Sequence, residues 1–225
     1  MRLNKWLVDQ GVAPARRKAD QLIADGRVSV DGRVAELGQD VGAQANVCVD
    51  GNPIAVVADQ AKRLIAYHKP VGEICSHVQQ GSADTIFMHL PHEFEHHKII
   101  GRLDKDSEGL VLLTNDGMLA YAMSHPSREK DKRYEVTLNR SLTPGEISRL
   151  HIGVTVDGEA WRLDTVRAID TCCYEVILHE GKNRHIRRCM DAVGARVMRL
   201  LRTTIDTYEL GALKPGAWRE ETIHG

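Results

Sequence analysis

Gly101-Arg-Leu-Asp104-Lys-Asp-Ser-Glu-Gly109 runs directly into Leu110-Val-Leu-Leu113, followed by Thr114-Asn-Asp-Gly117. A charged loop bounded by two glycines thus leads into four consecutive aliphatic residues, the length and composition of a buried strand. Asn115, Asp116 and Gly117 tolerate positive φ and supply a turn. Met118, Leu119, Tyr121, Ala122 and Met123 then predict a short helix that ends before His125-Pro126. Asp104 is expected at the lip of a core strand, flanked by Arg102 and Lys105. A carboxylate anchored on a rigid element suits reactive chemistry, whereas an isolated surface Asp is more often a solvated member of an ion pair.

Working outward toward the C-terminus, Tyr134, Val136 and Leu138 alternate with Arg133, Glu135 and Thr137, so Tyr134 shares a strand face with apolar neighbours. Thr143-Pro-Gly-Glu146 is a capping box opening a helix to about Leu150. Val154-Thr-Val156, Asp157-Gly158 and residues 160–168 predict a hairpin, and residues 172–178 a further strand. In Glu180-Gly-Lys-Asn-Arg-His-Ile-Arg-Arg-Cys-Met-Asp-Ala-Val-Gly194, Asn183 is the expected N-cap, Ile186, Met190 and Val193 the buried stripe, and Gly194 the stop. Arg184 and Arg187 fall on another face of that helix, three residues apart.

The run from 101 to 117 resembles the signature of the ribosomal RNA pseudouridine synthases of the RsuA type. The segment from His125 through Lys132-Arg-Tyr134, the helix from Asn183 to Arg188, the Lys69-Pro-Val-Gly72 turn and the closing Leu213-Lys-Pro-Gly216 turn resemble further parts of that family, so the likeness spans nearly the whole chain. It implies an α+β fold: a small helix-helix-hairpin RNA-binding domain at 1–60, then a synthase domain at 61–225 with a mostly antiparallel central sheet. It implies Asp104 as the catalytic residue, Arg187 as its cationic partner and Tyr134 packed against the target base. It also implies that Arg102, Lys182, Arg184 and Arg188 face RNA. Residues 125–128 and 183–188 favour the large-subunit branch. Turning uridine into pseudouridine breaks the bond from ribose to N1 and rejoins the base through C5, with nothing oxidised, added or lost; the implied chemistry uses no cofactor and no metal.

The N-terminal segment supports the same picture. Leu3, Trp6 and Leu7, then Ala19, Leu22 and Ile23, recur at helical spacing, with Gly11 and Gly26 as stops; Val28-Ser-Val30, Asp31-Gly32 and Arg33-Val34 form a hairpin. Residues 1–54 resemble the small RNA-binding module shared with a ribosomal small-subunit protein, which implies phosphate contacts from Arg2, Lys5, Arg16, Arg17, Lys18 and Arg27. Read without the resemblance, these are an ordinary solvated face. The linker into the second domain is expected at residues 60–63.

A formal net charge of -1 says little about a polyanion partner, but residues 181–202 set seven Lys and Arg against the single acid Asp191. Five cysteines with no Cys-x-x-Cys pair read as reduced thiols of a cytoplasmic protein. No apolar run approaches the ~20 residues of a membrane span, and the start lacks a signal-peptide core. His77, His89, His92, His96 and His97 invite a metal reading, but their spacing fits no ligand motif. The expected partner is a structured ribosomal RNA stem-loop, bound by a monomer. Rival readings are a non-catalytic RNA-binding factor, a synthase acting on transfer RNA, and a carboxylate-dependent hydrolase, which would need a second acid such as Asp106 or Glu108 facing Asp104.

Overall fold

A computed structural model describes residues 1–13, 15–42, 44–54, 61–124 and 130–224. Residues 125–128, which favoured the large-subunit branch, and the expected linker start at Gln60 lie outside the described residues. The chain forms two compact units, Met1–Ala61 and Lys62–Gly225.

In the first unit, helices α1 (Leu3–Asp9) and α2 (Arg16–Ala24) precede strands β1 (Val28–Val30), β2 (Arg33–Val34), β3 (Val47–Val49) and β4 (Asn52–Pro53), ordered β2-β1-β3-β4 and antiparallel throughout. The helices bury Leu3, Trp6, Leu7, Ala19 and Ile23 against Val28, Val30 and Val47. Asp31-Gly32 turns the hairpin with φ of 51° and 79°, both positive as a two-residue primed turn requires, and Asp50-Gly51 repeats the device between β3 and β4.

The second unit contains β5 (Leu64–Lys69), β6 (Lys98–Ile100), β7 (Glu108–Thr114), α3 (Gly117–Ser124), β8 (Lys132–Leu138), α4 (Pro144–Ile152), β9 (Val154–Val156), β10 (Glu159–Trp161), β11 (Thr165–Asp170), β12 (Cys173–Leu178), α5 (His185–Ala192), β13 (Val197–Ile205), β14 (Tyr208–Glu209) and β15 (Trp218–Glu221). The main sheet runs β11-β12-β8-β13-β7-β5-β15, with β6 on β7 and β14 on β13. Every pairing is antiparallel except β13 with β7, which is parallel and touches only at Leu201 opposite Glu108 and Arg202 opposite Gly109. Farther along β7, residues 112–114 pair with β6 instead. The loop that joins β6 to β7 therefore leaves the sheet where β13 and β6 diverge.

Burial explains the two kinds of strand. On β8, Tyr134, Val136 and Leu138 alternate inward and pack with Leu150 of α4 and Ile186 and Met190 of α5. On β5 and β7 nearly every residue is buried, because both faces are covered. Leu64, Ala66, Leu110 and Leu112 meet Ala120 and Met123 of α3 on one side. Ile65, Tyr67, Val111 and Leu113 meet Ile86, Leu90 and Phe94 on the other. The segment between 73 and 98, silent in the sequence, is thus the lid of that second face, built from two single-turn 3-10 helices at 86–88 and 92–94.

Two local expectations are corrected. The return strand after Asp157-Gly158 is split: β10 pairs with β9, and β11 leaves to pair with β12 at the sheet edge. Asn183 is not the N-cap of α5; Arg184 holds that position in the left-handed region, φ 53°, and makes no side-chain capping bond. Among the described residues no helix is long and apolar enough to cross a membrane.

His97 sits in the 73–98 lid, 4% exposed, edge-on to Phe94 at 5.0 Å, its Nε2 without a hydrogen-bond partner among the described residues. Burial, and secondarily the charge of Arg63, pulls its pKa down to about 4 from the ordinary 6.5. Between those values the unfolded chain binds the proton and the folded chain refuses it. The stability this contributes is complete above pH 6.5 and is lost as pH falls toward 4. Melting temperature measured stepwise over that window is expected to fall less steeply in His97→Gln than in wild type; parallel curves would remove His97 from the acid response.

Candidate active site

The loop at 101–107 carries the candidate carboxylate Asp104, and its backbone is held by buried cations from three elements. Lys69, at the end of β5 and fully buried, donates from Nζ to Ser107 O at 2.7 Å and Pro70 O at 2.9 Å. Arg187 of α5, 8% exposed, donates to Asp106 O at 2.6 Å, Ser107 Oγ at 3.3 Å and Val197 O at 3.3 Å. Arg202 of β13, 1% exposed, donates to Leu110 O at 2.8 Å, Arg102 O at 3.4 Å and Gly101 O. Buried carbonyls need donors, and a charged donor makes the stronger bond. Burial in turn lowers the pKa of Lys69 and of Arg187, since low dielectric disfavours their charge.

Asp104 itself is half-buried, and among the described residues its carboxylate has no hydrogen-bond or ion-pair partner. Its main-chain oxygen closes the loop by accepting from Ser107 N at 3.1 Å. The expected Arg187–Asp104 ion pair is not formed. Arg187 Nε lies 3.3 Å from Asp106 Oδ2, and Arg184 grips the same carboxylate with two bonds of 2.9 and 2.8 Å. The reason is local: Arg187 is pinned by the Asp106 and Ser107 acceptors, which leaves its fork on Asp106. The Arg184 bonds, first, and the nearby Arg187 hold the Asp106 carboxyl below its ordinary range. Asp104 is still near enough for its charge to raise the pKa of Lys69, Arg184 and Arg187. The site is therefore an anion set among fixed cations, with the anion left unpaired among the described residues.

Tyr134 lies in register with Arg202 on the neighbouring strand, 7% exposed, with the Arg202 guanidinium 5.9 Å from its ring centre. Leu103, beside Asp104, packs against the cluster that contains Tyr134. Asp104, Arg187 and Tyr134 are thus linked through shared neighbours: Arg187 bonds the Asp106–Ser107 end of the loop, and Arg202, beside Tyr134, bonds its Gly101–Arg102 end. A cavity of about 440 Å³ opens beside the loop, lined by Lys105, Gly72, Glu73, Asp84 and His89 among others.

The remaining basic candidates differ in how far they are already paired. Lys182 meets Glu159 at 3.2 Å and lies 4.8 Å over Trp161; Arg188 pairs with Asp157 and lies 4.7 Å over the same ring. In the first unit Arg2 pairs with Asp40 at 3.6 Å, Lys5 with Asp9 at 2.6 Å and Arg27 with Asp50 at 2.5 Å. Arg16, Arg17 and Lys18, all exposed on the first turn of α2, have no carboxylate partner among the described residues, and neither does exposed Arg102. The histidines have separate fates: His77 stacks on Phe87 at 4.2 Å, His89 faces Asp84 at 3.3 Å and His92 pairs with Glu95 at 2.9 Å. Among the described residues no three metal-ligating side chains converge.

Sequence reasoning missed Asp106 as the acceptor of both arginines, Lys69 as a loop anchor and any role for Arg202 beyond its share in the basic count of residues 181–202. Lys69 carried a signal, a lysine closing an apolar strand before a Pro-Val-Gly turn. Arg202 carried only the oddity of an arginine directly after two leucines in a strand.

RNA pseudouridylate synthase is the description of the family that matches residues 63–192, and residues 1–47 match the S4 domain. An uncharacterised RNA pseudouridine synthase of Mycobacterium tuberculosis is 39% identical over 97% of this chain and 89% of its own length. A protein of Pasteurella multocida named ribosomal large subunit pseudouridine synthase B is 34% identical over 97% of this chain, which spans 66% of that protein. A crystal structure of a pseudouridylate synthase superposes with a TM-score of 0.70 over 99% of this chain and 96% of its own, at 23% identity, a likeness of fold.

Proposed function

The chain belongs to the RNA pseudouridylate synthase family, and from that premise we propose that it isomerises a specific uridine of large-subunit ribosomal RNA to pseudouridine, with Asp104 as the reacting carboxylate and no cofactor. The observation that carries this reading is the Asp104 carboxylate, unpaired among the described residues, on a loop whose backbone is fixed by Lys69, Arg187 and Arg202. Preorganised charge beside the reacting atoms is the largest lever such a site has. The glycosidic bond to N1 breaks, the uracil turns, C5 bonds to the ribose carbon and gives up its proton, and N1 gains one. Asp104 serves either by adding to the ribose carbon or by deprotonating the ribose as the base departs. Arg187 and Lys69 hold the loop and offset the charge, Tyr134 forms the floor against the flipped base, and the pocket recovers the few kcal/mol that unstacking costs. The large-subunit assignment draws on the name of the Pasteurella relative.

The test is pseudouridine mapping of ribosomal and transfer RNA from cells lacking the protein, with and without the wild-type chain restored. One large-subunit position lost and restored supports the reading. Loss in transfer RNA moves the substrate, and no loss favours a binding factor.

The first unit supplies the grip. Replacing Arg16, Arg17 and Lys18 together with Ala is expected to lower RNA affinity and flatten the log-log salt dependence by a slope of about 2 to 3, because each phosphate contact releases its counterion. Turnover at saturating RNA is expected to stay near wild type. An unchanged salt slope measured by filter binding would take these three residues out of the interface.

A further inference from the structure

We propose that Arg202 is the positioning residue of this site: it shapes the 101–109 loop from beneath and ties it to Tyr134, so that Asp104 is presented at a fixed place without a direct ion pair of its own. The proposal rests on the isomerase reading for its catalytic consequence, but its structural half stands on geometry alone.

β13 and β7 are parallel for two residue pairs only, so the edge of β7 just beyond Gly109 loses its strand partner before β6 takes over at Leu112. Arg202 fills that gap with its side chain. Its Nε supplies the donor to Leu110 O, and its terminal nitrogens reach back to Gly101 O and Arg102 O, two to three residues before Asp104. One planar fork therefore joins the start of the loop to the strand after it, which a lysine, as a single point of charge, cannot do.

The two glycines that bound the loop both meet Arg202, Gly101 its side chain and Gly109 its backbone. A Cβ on Gly101, φ 71°, would lie 3.3 Å from Arg202 Nη2 and 3.2 Å from Ile205 Cδ1. A Cβ on Gly109, φ 111°, would lie 2.3 Å from Arg202 O and 2.6 Å from Arg202 N. Both ends of the loop are thus cut to the shape of one residue. The guanidinium faces the Tyr134 ring at 5.9 Å, so the wall aromatic and the carboxylate loop share a support. Arg187 and Lys69 hold the other end, at Asp106 and Ser107, which leaves the Gly101–Arg102 side to Arg202.

Amide hydrogen exchange of the RNA-free full chain, with Arg202→Lys and a control of comparable stability loss, Leu150→Ala on α4, reads the structural half. Exchange at 101–109 is expected to rise about tenfold in Arg202→Lys and to stay at the wild-type level in Leu150→Ala. Single-turnover conversion of unmodified ribosomal RNA reads the other half. Arg202→Lys is expected to lose about thirtyfold or more in rate at saturating enzyme, with RNA affinity within about twofold of wild type, and Leu150→Ala to keep its rate while folded. Unchanged exchange at the loop overturns the proposal whatever the substrate. Loosened exchange with a wild-type rate overturns its catalytic consequence. A wild-type chain that converts no ribosomal RNA counts against the proposed function, and the exchange result then decides the positioning role by itself.

Discussion

Asp104→Asn is expected to lower single-turnover pseudouridine formation by at least about 10³-fold, while RNA affinity stays within about twofold of wild type. The loss corresponds to about 4 kcal/mol of transition-state stabilisation, the scale on which a reacting group rather than a peripheral contact is removed. The substitution is nearly isosteric. More telling, the Asp104 side chain bonds to no other group among the described residues, so exchanging it strands no buried donor. The melting temperature should therefore move by no more than a few degrees. The same experiment on Arg187 would be ambiguous, because its removal leaves Asp106 O, Ser107 Oγ and Val197 O without their donor. At Asp104 the effects on activity and on folding are expected to separate cleanly. More than a tenth of wild-type rate in Asp104→Asn would exclude this carboxylate from the reaction, and Asp106, already engaged by two arginines, would be a poor replacement.

What the sequence made legible follows from how local each signal is. Leu110 to Leu113 reads as a doubly buried strand because four apolar residues in a row have nowhere else to go, and β7 buries them all. The 134–138 alternation and the Thr143–Glu146 capping box survive because each is complete within a few residues; in the capping box Thr143 Oγ1 accepts from Glu146 N and Glu146 accepts from Thr143 N. The ion pairing of the site was not legible. Whether Arg187 reaches Asp104 or Asp106 depends on which of two acids two residues apart the N-terminus of α5 meets. Asp106 O and Ser107 Oγ decide that, and neither can be read from spacing. The structural role of Arg202, counted in the sequence only as one of seven basic residues, was unreadable for a related reason: it repairs a defect in strand pairing between β13 and β7, and that defect exists only once the sheet order is known. The residues 73–98 failed differently. Their buried Ile86, Leu90 and Phe94 lie in short 3-10 turns, too brief for any periodicity to show.

Gly109→Ala is expected to be the most destabilising single change of one methyl group in the second unit, by more than about 4 kcal/mol. Most Gly to Ala changes in a strand context are mild or favourable when the backbone already suits an alanine. Here two penalties coincide. The φ of 111° lies in a region that L-residues rarely adopt, and the added carbon would sit 2.3, 2.6 and 2.9 Å from the O, N and C of Arg202. These are backbone atoms of β13, which is held on its other edge by β8 along nearly its whole length. Neither strand has a flexible end that can swing aside, so relief must come from parting β7 and β13, which would also loosen the Arg202 fork from Leu110 O and Gly101 O. At about 2–4 °C per kcal/mol for a unit of this size, the melting temperature should drop by roughly 8–16 °C. Gly145→Ala in α4 is the matched control: nothing lies within 4 Å of its Cβ position and it adopts no left-handed φ, so the change should be neutral or stabilising by about 0.5–1 kcal/mol. Denaturation of both variants in the full chain separates the cases. A Gly109→Ala protein melting within a couple of degrees of wild type would mean that β7 and β13 do not approach as closely as the glycine demands, and the support beneath Asp104 would have to be sought elsewhere.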